Sequence, residues 1–129
     1  MGFSIFRGVC TALFCLLLLA LFWFPSQFLE TLHQDLTTSV DEAIVLLEQN
    51  DPQAPQQCAA IRRHYEDNML RLERFLNHAD VDNVADQFAQ ADASAQSGDY
   101  SDAAAALQEA ISQMEHLVSI EQFRLNSLL

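Results

Sequence analysis

Apolar residues follow two different patterns along this chain, and the change comes at Pro25. Before it, Gly8 to Phe24 reads GVCTALFCLLLLALFWF, 17 residues without a charge, or 22 counted from Phe3 if Arg7 is tolerated. At 1.5 Å per residue a helix of that length covers roughly 25–33 Å, which matches a hydrocarbon core of about 30 Å. After Pro25 the apolar residues recur every three or four positions between polar ones, the signature of amphipathic helices. Leu29, Leu32, Leu36, Val40, Ile44 and Leu47 make the first stripe, on a helix expected over Ser26–Gln49. The sequence NDPQAP breaks the chain at Asn50 to Pro55.

A second helix is expected from about Pro55 to Asn77, with Cys58, Ile61, Tyr65, Met69, Leu72, Phe75 and Leu76 on its apolar face. Asn77-His78-Ala79 reads as a short turn, after which Asp80 is expected to cap a third helix. That helix carries Val81, Val84, Ala85, Phe88, Ala91 and Ala95 and ends at Gly98. Asp99 then caps a fourth, with Leu107, Ala110, Ile111, Met114 and Val118 on its stripe and a continuation towards Phe123, Leu125 and Leu128. No run of β-branched residues alternates with polar ones, so no strand is expected. The fold class is therefore all-α: one N-terminal transmembrane helix, then a small antiparallel bundle of about four helices joined by short loops. The domain division is residues 1–25, a short tail and the membrane helix, and residues 26–129, the helical domain. Pro25 either starts the first bundle helix or kinks a longer helix leaving the membrane.

Charge adds an orientation. The chain has 18 acidic and six basic residues, a net charge of −12, and every acidic residue lies after Pro25. Arg7 is the one basic residue before the apolar run, and the flank after it holds Glu30 and Asp35 but no Lys or Arg. The positive-inside rule then places the amino terminus in the cytoplasm and residues 26–129 outside, in a single-pass cell-membrane protein. Phe22, Trp23 and Phe24 suit the headgroup layer at the far end of the span. The run leads into Phe-Trp-Phe-Pro rather than small residues, so the anchor is not expected to be cleaved as a signal peptide. So acidic a surface is repelled by nucleic-acid phosphates and by anionic lipid heads, which excludes nucleic acid as a partner. Cys10 and Cys15 lie in the apolar segment and Cys58 stands alone outside it, so an intrachain disulfide is not expected.

Candidate chemistry is sparse. The best constellation is His78, Asp80 and Asp82 with Glu115, His116 and Glu121, if the bundle brings the turn near the last helix. Its metal candidates are His78, Asp82, His116 and Glu121. The stretch Asp80 to Asp86 lacks the glycine and closing glutamate of an EF-hand loop. Helix capping and a buried histidine hydrogen bond explain the same residues, with His78 bridging its turn to the last helix. His33 and His64 make only a formal haem pair. No phosphate-binding glycine loop or nucleophile elbow occurs, so neither a cofactor, a metal nor a catalytic role is expected.

The stretch FLNHADVDNVADQFAQADASAQSGDYSDAAAALQEAISQMEHLVSIEQFRLNSLL, residues 75–129, carries three elements. They are a turn with His78, Val81, Asp82 and Val84; Gly98-Asp99 before an alanine-rich helix; and a closing element with Glu115, His116, Glu121, Asn126 and Leu129. In these the chain is similar to the DUF4363 family, small bacterial membrane-anchored proteins of unknown function. The resemblance implies a membrane anchor and a helical domain, and no reaction, ligand or catalytic residue. Two function classes follow. One is a structural or interaction module that offers an acidic face to another protein or to a second copy, held by lipid contacts of its N-terminal helix. The other is a ligand- or metal-binding, sensor-like bundle acting through a partner protein.

Overall fold

The computed structural model describes the backbone of residues 2–128; the side chains of residues 3, 22–26, 125 and 128, with residues 1 and 129, lie outside the described residues. The described residues form four helices: α1 over Gly2–Glu48, α2 over Ala54–Leu72, α3 over His78–Gln96 and α4 over Tyr100–Leu128. The described residues include no strand.

The apolar segment and the first bundle helix are one element. α1 is a helix of 47 residues that passes through Pro25. Proline supplies no N–H for the carbonyl four residues before it. One missing bond among the many of a long helix does not end it here. Of the two roles open to Pro25, starting a new helix is thereby set aside. The expected roles of Phe22, Trp23 and Phe24 at a headgroup layer, and of Leu125, Leu128 and Leu129 at the carboxy terminus, concern side chains outside the described residues.

From residue 27 onward the helices form an up-and-down bundle. α1 packs on α2 and α4, and α3 packs on α2 and α4, so each helix touches its two neighbours around a square. The core is continuous and takes in Leu29, Leu32, Leu36, Val40 and Leu47 of α1, Cys58, Ile61, Tyr65 and Leu72 of α2, Val81, Val84 and Phe88 of α3, and Leu107, Met114 and Leu117 of α4. No charged side chain is buried among the described residues. Side-chain size grades along the bundle. The end far from the apolar segment is filled by Ala43, Ala54, Ala91, Ala95, Ala103 and Ala106, and the near end by leucines, valines, Tyr65 and Met114. Small side chains permit a close approach of helices there, with Leu47 the large side chain of α1 at that end.

Both far-end turns use one device. Asn50 and Gly98 have positive φ, 53° and 85°. Asp51 N–H donates to the Leu46 carbonyl at 2.9 Å and Asn50 N–H to Leu47 at 3.2 Å; Asp99 N–H donates to Ser94 at 2.8 Å and Gly98 N–H to Ala95 at 3.2 Å. These are paired Schellman closures of α1 and α3. Asp99 then starts α4, its carboxylate accepting from Asp102 N–H at 3.4 Å.

The near-end turn differs from expectation. α2 stops at Leu72, and residues 73–76 form turns in which Phe75 and Leu76 N–H groups both donate to the Leu72 carbonyl, at 3.2 and 2.9 Å. Tight turning there brings Phe75 against Phe28 of α1, edge to face with ring centroids 6.4 Å apart. The cap of α3 is Asn77 rather than Asp80: its side-chain oxygen accepts from Ala79 N–H at 2.9 Å. Asp80 sits in the first turn, where its charge still favours the helix dipole.

Candidate functional site

The residues singled out from the sequence do not converge. His78 is exposed at the start of α3, with Nδ1 3.7 Å from an Oε of Glu73, and so does not bridge to α4. Asp82 is exposed on α3, and Glu115 and His116 are exposed on α4. Glu121 is half-buried, one oxygen 4.0 Å from the Arg124 guanidinium. Of these residues Asp80 and His116 line one open surface groove between α3 and α4, with Asn83, Val84, Ser112, Gln113 and Leu117. Among the described residues no three His, Cys, Asp or Glu side chains gather as a metal ion requires.

Inside the bundle, polar groups are used for cohesion. Tyr65 is buried, stacks at a tilt on Phe88 with centroids 5.2 Å apart, and donates its hydroxyl to the Val81 carbonyl at 2.7 Å. Burial, with Asp82 and Glu73 nearby, raises its phenol above the ordinary range. Burial likewise pushes the Cys58 thiol up to about 11, with Asp92 adding to it. A thiol held protonated and 1% exposed is a small hydrophobe rather than a nucleophile. On the flank, Arg62 bridges Glu66 at 2.8 Å and Asp92 of α3 at 3.1 Å. Gln96 reaches back to the Pro55 carbonyl at 3.1 Å.

A second concavity, one that sequence reasoning missed, lies where the apolar segment meets the bundle. Leu17, Ala20, Leu21 and Phe28 of α1 form its floor, and Arg71, Arg74 and Phe75 overhang it, enclosing about 490 Å³. Leu17, Leu21 and Phe28 are four and seven residues apart, so they share one face of the helix. The Arg71 guanidinium carbon lies 5.5 Å from the centre of the Phe28 ring, a cation–π distance. The antiparallel course of α2 puts Arg71 in its last turn, and Arg74 in the turn that follows, beside the apolar segment. The signal for this in the sequence was the pair Arg71 and Arg74 at the end of an apolar stripe, in a domain otherwise dominated by acid.

The fold defines a class: an antiparallel four-helix bundle with a closed apolar core, built on the carboxy-terminal half of a long helix whose amino-terminal half is apolar and unburied. Residues 23–128 match the domain of unknown function DUF4363. The chain belongs to this family, and the match covers the whole bundle rather than its carboxy-terminal half alone. No curated protein and no solved structure matches the chain.

Proposed function

We propose that this protein is held in a membrane by the amino-terminal half of α1, amino terminus in the cytoplasm, and that its bundle is an extracytoplasmic interaction module for another protein. The observation that carries the reading is the contrast within α1. Ser4–Leu21 is long and apolar enough to cross a bilayer and none of it is buried in the protein, whereas the bundle closes its own core from Leu29 onward. A bare segment of 18 residues, apolar except for Ser4, Arg7 and Thr11, is stable in lipid and not in water. Arg7 on one side, and Glu30 and Asp35 on the other, support the orientation. An acidic surface over a closed apolar core supports an interaction module. A ligand-responsive bundle is the second reading, and the Asp80–His116 groove is the feature that favours it.

Carbonate extraction of membranes combined with intact-mass measurement tests the anchoring. The protein should stay in the washed membrane at its full mass. Release into the supernatant, or a mass lacking the first 20–30 residues of a typical signal peptide, would overturn it.

A further inference from the structure

The cleft at the junction joins two chemistries that meet in one class of molecule. Its floor, Leu17, Ala20 and Leu21, is the outer end of the apolar segment, and its overhang carries the Arg71 and Arg74 guanidiniums. With Ser4–Leu21 in the hydrocarbon, Arg71 over Phe28 stands seven residues, or roughly 10 Å, along α1 from Leu21, so its guanidinium and that of Arg74 can reach the headgroup layer from above the cleft. Of the six basic residues in the chain, only these two line it. We infer that this cleft binds an anionic phospholipid of the surrounding membrane, with its phosphate between Arg71 and Arg74 and an acyl chain along Leu17 and Leu21. The inference rests on the membrane reading above.

The charge pattern gives the cleft its selectivity. The domain is strongly acidic, so it repels an anionic surface everywhere except where arginine is concentrated. Glu73, which stands between the two arginines in sequence, is directed to His78 at 3.7 Å and does not line the cleft. Arg71 is already ordered by its seat on Phe28, which lowers the entropy lost on gripping a phosphate. Arginine suits the task because its planar fork meets two phosphate oxygens at once. Two further features lie at the same end of the bundle: Leu70 on α2 and Phe123 on α4, 77% and 74% exposed, which a bilayer surface would cover.

Native mass spectrometry of the full-length chain, released from nanodiscs of equimolar phosphatidylcholine and phosphatidylglycerol, tests the site. The parent should retain phosphatidylglycerol over phosphatidylcholine by about thirtyfold, the scale of two basic residues at a lipid surface. Arg71→Gln/Arg74→Gln should lose the preference, Arg74→Gln alone should reduce it, and Arg62→Gln should keep it. Inorganic phosphate at millimolar concentration should not displace the lipid, because it lacks the acyl chain that Leu17 and Leu21 hold. Equal retention of both lipids by the parent, an unchanged preference in the double variant, or displacement by free phosphate would overturn the lipid site. Failure of the chain to enter nanodiscs at all would instead remove the membrane reading beneath it.

Discussion

The hydroxyl of Tyr65 on α2 donates to the backbone carbonyl of Val81 on α3 at 2.7 Å, inside the core. That bond crosses the near-end turn, the least regular connection in the bundle, and holds α2 and α3 in register across it. Tyr65→Phe keeps the ring against Phe88 and removes only the bond. It should cost about 1 kcal/mol, the usual net worth of one hydrogen bond. Tyr65→Ala also opens a cavity and should cost about 3–5 kcal/mol. Urea titration followed by circular dichroism reads both, and equal losses from the two variants would show that the bond and not the packing dominates.

Alkaline pH should unfold the domain earlier than its surface charge alone would. Both the Cys58 thiol and the Tyr65 phenol are raised above ordinary values of 9.0 and 10.0 by burial. Each is neutral when protonated, so the unfolded chain gives up these protons first. The stability they contribute is complete below the unfolded values and is lost as pH rises through and above them. The slope is at most about 1.4 kcal/mol per pH unit for each group. The melting temperature should hold to about pH 8 and fall between about pH 9 and 11, with a shallower early fall in Cys58→Ala. A level profile across that range would contradict the burial of both groups.

The near-end turn offers a contrast between neighbours. Asn77→Ala removes the side-chain cap of α3 and should cost about 1 kcal/mol. His78→Ala alters an exposed side chain whose one charged contact is at 3.7 Å, and should stay within about 0.5 kcal/mol. Chemical denaturation of the two variants measures the difference; a larger loss at His78 would restore it as the organising residue of the turn.

That turn is also where the sequence was hardest to read. The stripes were legible because burial imposes a 3.6-residue period: Leu29, Leu32, Leu36, Val40 and Leu47 are all in the core, as are Val81, Val84, Phe88, Ala91 and Ala95. The end of α2 was not. Glu73, Arg74, Phe75 and Leu76 all suit a helix, and only the contact of Phe75 with Phe28, a tertiary event, shows why the chain turns at Leu72. Asn77 and Asp80 are both good caps, and the choice between them depends on where the chain turns. The passage of α1 through Pro25 reflects how local a proline's cost is. Site residues fared worst. Whether His78 faces α4 depends on helix rotation, which no linear spacing encodes, and the arginine-lined cleft exists only once α2 lies beside the apolar half of α1.

The bundle should fold without its anchor. Among the described residues none before Leu29 belongs to the buried core, so removing residues 1–25 deletes no described core side chain. Residues 26–129 made alone should be soluble, strongly helical and cooperative in thermal unfolding. A molten or aggregated product would mean that the apolar half of α1 or a lipid completes the fold.

The central claim is that one continuous helix carries an acidic bundle on the far side of a membrane from Arg7. The most direct test places a single cysteine at Ser97, exposed in the turn farthest from the apolar segment, with Cys10, Cys15 and Cys58 replaced by alanine. Intact cells are then treated with a membrane-impermeant maleimide. Full labelling of the Ser97→Cys protein before lysis, on a chain that stays in the membrane fraction at full mass, is the result the account predicts. Labelling only after lysis would put the bundle on the cytoplasmic side and contradict it.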